Sequence, residues 1–262
     1  MNIPDFARRK QSREKISVAT CYDYPFAQLL AKTDIDAILV GDSLAMVVHG
    51  HMSTLTATLD MMCLHTEAVA RGAGGKFIVT DLPFLEHRKG RTARVTAAQR
   101  LLQAGANAIK LEGAEGNLDF ITSLTTAGVP VMGHVGLTPQ FVNTFGGFKV
   151  QGREAAAATQ ILADAKALTA AGVFSIVAEG VPSSLGKQIA EAVSVPIIGI
   201  GAGLEVDGQV LVLHDLLGFN PKPARFVRVF GDAAGAALAG LRAFDVAVKE
   251  GSFPAEKESY PS

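Results

Sequence analysis

The sequence predicts an α/β fold built on parallel strands, and three observations carry that prediction. Short β-branched runs with almost no charge recur along the chain, segments of helical spacing lie between them, and several of those segments end in the same Ala-Gly pair. Runs that are apolar on both faces, without polar alternation, are what a parallel sheet covered by helices requires. There are eight: Ile16–Thr20, Ala37–Gly41, Phe77–Asp81, Ala108–Gly113, Val129–Val135, Ser175–Gly180, Val195–Gly201 and Gln209–Asp215. The helical segments include Tyr24–Thr33, Leu59–Arg71, Val95–Ala104, Leu118–Ala127, Glu154–Ala171 and Ser184–Val193. At Ala104-Gly105, Ala127-Gly128 and Ala171-Gly172 the glycine can take the left-handed conformation that closes a helix and turns the chain toward the next strand. Eight βα units in about the span such barrels occupy argue for a single-domain (β/α)8 TIM barrel over residues 1–262. Periodicity alone leaves an open doubly wound sheet as the alternative. Residues 1–15 read as a short polar helix leading into the barrel, Asp232–Val248 as an Ala-rich helical extension, and Gly251–Ser262 as a Pro-containing tail.

Of 262 residues 48% are hydrophobic and 19% charged, with Lys+Arg 24 against Asp+Glu 25 and a formal charge of -1. That apolar share is ample for a buried core and excludes disorder for the bulk of the chain. A near-neutral balance without a basic block lacks the electrostatic footprint of phosphate-backbone binding, so nucleic acid is not expected as a partner. Two cysteines, Cys21 and Cys63, make no disulfide framework and fit a reduced intracellular setting. The charged start from Arg8 to Lys15 has no apolar stretch behind it and does not read as a secretory signal. Thr122–Phe148 carries no Lys, Arg, Asp or Glu, but Pro130, Pro139 and five glycines interrupt it. It holds no run near the roughly 20 apolar residues of a membrane span, and reads as strand plus loop.

Barrel enzymes carry their chemistry at the C-terminal ends of the strands, where the βα loops are built. There the sequence places Gly41-Asp42-Ser43, Asp81, Lys110-Leu111-Glu112, His134 and Glu179, on strands two to six in turn. Lys110 and Glu112 are two apart, so their side chains share one side of the strand, which in a barrel can be the interior. Burying such charges costs on the order of several kcal/mol each unless a metal or charged ligand offsets it. Taken singly, each has an ordinary explanation: Asp81 as a turn residue, Lys110 with Glu112 as a self-satisfied ion pair, Glu179 as a loop carboxylate, His134 as a core histidine bonded to backbone. Taken together, they would need five consecutive strands to place a polar residue at the same level by accident. Three carboxylates without paired cysteines or a clear histidine cluster point to a hard cation, magnesium rather than zinc. Mg²⁺ suits a 2-oxo acid, whose carboxylate and carbonyl it can chelate while lowering the cost of enolate formation. A nearby lysine would stabilise negative charge, and a further carboxylate could move protons.

Other motifs are weaker. His49-Gly50-His51, with His134 and Asp215, has the look of a zinc hydrolase site, but it lies several residues past strand two and no histidine marks strand six. Gly199-Ile200-Gly201-Ala202-Gly203 follows a strand, yet Leu204 occupies the third glycine position of a dinucleotide fingerprint. Gly72-Ala73-Gly74-Gly75-Lys76 lacks the spacing and Ser/Thr of a phosphate loop and reads as a helix-ending turn. Tyr22 and Tyr24 follow strand one, either at a pocket mouth or packed under a loop.

Several long segments set these residues in context: Thr20-Cys21-Tyr22-Asp23-Tyr24, Val40-Gly41-Asp42-Ser43-Leu44, Asp81-Leu82-Pro83-Phe84, Ala104-Gly105-Ala106-Asn107 with Lys110-Leu111-Glu112-Gly113, and Gly133-His134-Val135-Gly136-Leu137-Thr138-Pro139-Gln140. Phe145 to Arg153, Glu179-Gly180-Val181-Pro182, Gly199 to Gly203, Asp207-Gly208-Gln209 and His214-Asp215 follow. In this order, over nearly the whole chain, the sequence resembles the ketopantoate hydroxymethyltransferase family. The resemblance implies a (β/α)8 enzyme of pantothenate biosynthesis that transfers a hydroxymethyl group from 5,10-methylenetetrahydrofolate to 3-methyl-2-oxobutanoate, giving 2-dehydropantoate. By position it implies Asp42 and Asp81 as Mg²⁺ ligands, joined by Glu112 directly or through water. Ser43 and Lys110 would hold the oxo acid, and Glu179 would accept the proton. It further implies a cytoplasmic homodecamer. Cys21 and Gly180 are differences at neighbouring positions that bear on packing rather than chemistry. The isocitrate lyase and phosphoenolpyruvate mutase group shares the Asp-Ser after strand two and a magnesium site, and is the nearest enzymatic rival. A catalytically silent binding protein on the same scaffold is a rival of another class, separated by whether the C3 proton exchanges.

Overall fold

Strand β1 (Ile16–Thr20) pairs in parallel with β2 (Ala37–Val40) on one side and with β8 (Gly208–Leu211) on the other, and the second pairing closes the sheet. Between them β3 (Phe77–Asp81), β4 (Ala108–Lys110), β5 (Val131–Gly136), β6 (Ser175–Glu179) and β7 (Ile197–Ile200) follow in chain order. The sheet is a closed (β/α)8 barrel, and the open doubly wound alternative is excluded. These elements belong to a computed structural model that describes residues 1–261. One compact unit spans Met1–Val212 and a second begins at Leu213.

Alternate residues of a strand face opposite ways, so a closed barrel has two cores. Inward positions such as Val18, Leu39, Val79, Ala108, Val177 and Val210 fill the first. Outward ones such as Ile38, Ile78, Ile109 and Ile176 pack beneath the helices, against residues including Leu101, Phe120 and Leu168. The N-terminal helix Ile3–Ser12 is capped by Asn2, whose side chain accepts from the Asp5 N–H, and carries Pro4 in its first turn. Its one buried residue, Phe6, joins the inner core at the strands' N-terminal end, edge-on to Phe77 and Phe174 with centroids 5.4 and 5.0 Å away. Arg9 to Asp36 (2.8 Å) and Lys10 to Asp207 (2.7 Å) pin that helix across the base.

The helix-closing glycines behave as expected, with φ of 110°, 86° and 89° at Gly105, Gly128 and Gly172. Two strands end more than one residue short of the sequence reading. Strand four, expected to reach Gly113, ends at Lys110, because beyond it bonding to β5 is one-sided. Leu111 N–H donates to the Met132 carbonyl (3.1 Å) and Gly113 N–H to that of His134 (2.9 Å), so the inward alternation still reaches Glu112. Strand eight, expected over Gln209–Asp215, ends at Leu211, and Leu213–Leu216 is a short helix. There a local bond from Leu217 N–H to the Leu213 carbonyl (3.0 Å) replaces ladder pairing. The C-terminal helix Ala233–Lys249, capped by Asp232, buries none of its residues. Among the described residues no helix is long and apolar enough to cross a membrane.

Candidate active site

The alternation that fills the lower barrel with apolar side chains delivers polar ones at its upper end. Thr20, Asp81, Lys110, His134 and Glu179 line a cavity of about 90 Å³ together with Asp42, Ser43, Thr54 and Glu112. That is room for several waters or one small organic acid. Strand register sets the neighbours, with Asp81 opposite Lys110 and Gly136 opposite Glu179.

Lys110 Nζ stands 2.9 Å from Asp81 Oδ1 and 3.3 Å from His134 Nδ1. His134 lies between two glutamates, its Nδ1 3.5 Å from Glu112 Oε1 and its Nε2 3.3 Å from Glu179 Oε2. Asp42 follows β2, where the chain turns into the short helix Leu44–Val47, and its backbone N–H donates to Asp81 Oδ2 (3.0 Å). Two aspartates distant in sequence are thereby neighbours. Ser43 Oγ is hydrogen-bonded to the Tyr22 hydroxyl at 2.9 Å.

Burial governs protonation here. It raises the pKa of Asp42, and the charges of Asp81 and Glu112 add to the effect. It pushes Glu112 up to about 7 against the pull of Lys110, and raises Glu179 against that of His134. It lowers His134, with Lys110 acting in the same direction. For Lys110 itself burial disfavours the ammonium, but Asp81, Glu112 and Asp42 outweigh it and raise its pKa. The site holds one firm positive charge among crowded acids, which is the arrangement a cation or an anionic substrate would complete.

Gly136 ends β5 with φ 89°, and a Cβ there would come within 2.3 Å of the Glu179 carbonyl oxygen. Gly136→Ala is expected to cost about 1–3 kcal/mol of stability and to lower turnover by displacing Glu179. Denaturant unfolding and steady-state kinetics check this, and a variant matching wild type in both would show that the strand end yields.

Every sequence-derived site residue, Asp42, Ser43, Asp81, Lys110, Glu112 and Glu179, lies on this one cavity. Among the described residues, no group of three or more His, Cys, Asp or Glu side chains is disposed to enclose a metal ion. Asp42 and Asp81 nevertheless fit Mg²⁺, which commonly takes one or two carboxylates and fills its shell with water and substrate oxygens. Asp81 Oδ1, buried and without a hydrogen-bond partner apart from its ion pair, is an atom such an ion would satisfy. Glu112, by contrast, is engaged by the Gln140 backbone N–H at 2.9 Å.

The sequence reading gave no role to Thr54, whose buried Oγ1 lacks a hydrogen-bond partner at the cavity wall, or to Gln140. Nothing local marks either residue, since each sits in a short 3-10 turn, Thr54–Thr56 or Pro139–Phe141, brought to the cavity by the fold. Tyr22 and Tyr24 part company: Tyr22 is buried against Ser43, while Tyr24 begins the helix Tyr24–Leu30 and is exposed. His49 contacts His65, Nε2 to Nε2 at 2.9 Å, and neither lines the cavity.

Fold and rim together define a (β/α)8 enzyme with a lysine, a histidine and four acids around one small cavity. The sequence model of the ketopantoate hydroxymethyltransferase family matches residues 1–256, and the chain belongs to that family. A 3-methyl-2-oxobutanoate hydroxymethyltransferase of Bdellovibrio bacteriovorus is 54% identical over 260 residues, covering 98% of each chain. One of Legionella pneumophila (strain Paris) is 49% identical over 265 residues, covering 99% of this chain and 100% of its own. Among solved structures, 2,3-dimethylmalate lyase of the PEP mutase/isocitrate lyase superfamily superposes with a TM-score of 0.60 at 15% identity, over 99% of this chain and 92% of its own. That likeness shows the barrel fold alone. The chain is a hydroxymethyltransferase, as the motif resemblance implies.

Proposed function

We propose that the enzyme transfers a hydroxymethyl group from 5,10-methylenetetrahydrofolate to 3-methyl-2-oxobutanoate, forming 2-dehydropantoate in pantothenate biosynthesis. The observation that carries this reading is the meeting of Asp42, Asp81, Lys110 and Glu179 around one small cavity. Asp42 and Asp81 would hold Mg²⁺, with Glu112 joining directly or through water; when bound, the ion supplies Lewis-acid polarisation of the 2-oxo group. Ser43 Oγ, oriented by Tyr22, and Lys110 Nζ bind the oxo acid. Lys110 also stabilises the negative charge that appears as the C3–H bond breaks. Glu179 accepts the C3 proton at its carboxylate, and burial makes it a stronger base than an ordinary glutamate. Water cleaves both carbon–nitrogen bonds of the folate's methylene bridge, releasing tetrahydrofolate and a one-carbon unit at the formaldehyde level; the electron pair left on C3 adds to that carbon, and its oxygen takes up a proton to become the hydroxyl.

The family resemblance also supports a cytoplasmic homodecamer, while the near-neutral charge and the interrupted apolar stretch Thr122–Phe148 speak against nucleic-acid and membrane partners. The exposed Leu238, Leu241 and Phe244 of the C-terminal helix support contact with further copies. The test of function is turnover of 3-methyl-2-oxobutanoate with the folate donor before and after exhaustive chelation. Activity is expected to disappear on chelation and return with Mg²⁺. Full activity in the metal-free protein would overturn the metal assignment, and no turnover under any condition would overturn the reaction.

A further inference from the structure

We propose that Gln140 is the positioning residue that aims Asp42 into the cavity and fixes Glu112 beside it. This rests on the reading that Asp42 belongs to the ion and oxo-acid site. Gln140 is buried in the short 3-10 turn Pro139–Phe141 that follows β5. From there it reaches the ends of three other strands. Its side-chain Nε2 donates to Asp42 Oδ2 at 2.9 Å and to the Leu82 carbonyl at 3.0 Å, and its backbone N–H donates to Glu112 Oε2 at 2.9 Å.

A primary amide nitrogen carries two hydrogens, and both are committed here. The amide therefore has one workable orientation, because a flipped oxygen would face the Leu82 carbonyl, which has no proton to offer. Anchored on the Leu82 carbonyl, the side chain holds Oδ2 of Asp42 and leaves Oδ1 for a ligand. The main chain of the same residue takes one oxygen of Glu112 and leaves Oε1 toward His134. Two acids that would repel each other and swing apart are held by donors on one short, rigid turn. Partners of this kind, which orient ligands without touching the ion, ordinarily change metal affinity or activity by about 10–100-fold when removed.

Gln140→Met tests the inference in the full-length enzyme. It preserves length and the backbone donor to Glu112 but removes both amide hydrogens. Three quantities are read: Mn²⁺ binding by electron paramagnetic resonance, exchange of the C3 proton of 3-methyl-2-oxobutanoate in D2O, and the melting temperature. The expected result is a Mn²⁺ dissociation constant raised about 10–100-fold, with C3 exchange slowed and partly restored at high ion concentration. A merely structural glutamine would lower the melting temperature and leave ion affinity unchanged. Wild-type affinity and exchange in Gln140→Met would overturn the proposal. If the wild type binds no Mn²⁺, the ion reading is what fails, and exchange alone then judges Gln140: slower exchange supports positioning and unchanged exchange overturns it. Should Gln140→Met not fold, Gln140→Asn keeps an amide in place but withdraws it by one methylene, and is expected to shift the same readouts in the same direction.

Discussion

Lys110→Met is expected to destabilise the metal-free protein by about 3–5 kcal/mol and to reduce turnover at least about 10²–10³-fold. Lys110 is buried, and among the described residues its Nζ is the cation paired with Asp81 Oδ1, at 2.9 Å. Methionine fills similar space but leaves Asp42, Asp81 and Glu112 as acids out of water with no counter-charge. Such a loss is a large part of the roughly 5–15 kcal/mol that stabilises a typical domain. The effect carries a pH signature. Burial already holds Glu112 at about 7, with Lys110 the leading influence in the other direction, so Glu112 titrates higher still in the variant. A carboxyl whose folded pKa exceeds its unfolded value keeps a proton that the unfolded chain releases. Stability therefore falls as pH rises from about 4.5 through the folded value. The deficit of Lys110→Met relative to wild type should thus grow from pH 5 to pH 8 in denaturant titrations without divalent ions. A deficit of the same size at both pH values would assign the loss to packing rather than charge.

Glu179→Gln is expected to slow C3 proton exchange by about 10²–10⁴-fold while changing the KM for the oxo acid little. The amide matches the carboxylate in size, so the contact with His134, 3.3 Å in the wild type, can persist while the proton acceptor is gone. Exchange is followed by NMR in D2O with the oxo acid alone, which isolates proton removal from folate chemistry. An unchanged rate would mean that another group takes the proton, and the other glutamate against His134, Glu112, would be the next to test.

Much of this architecture is legible in the sequence because it depends on short-range rules. Doubly apolar runs mark strands, Ala-Gly pairs mark where helices close, and the two-residue period places Lys110 and Glu112 on one side. Errors gather where the chain leaves its ladder. Val210 to Leu213 is as apolar as a strand, yet the local bonding of the folded chain makes Leu213 to Leu216 helical. Gln140 escapes for a different reason: its partners Asp42, Leu82 and Glu112 come from three separate βα units. No spacing in the neighbourhood of Thr138-Pro139-Gln140 announces bonds that barrel closure creates.

Phe6, wedged against Phe77 and Phe174, acts as a stopper at the end of the tube remote from the carboxylates. A vessel corked below has a single doorway. Whatever enters to react must depart by the route it came, so product still in the cavity blocks the next substrate, and inhibition by product should compete with the oxo acid.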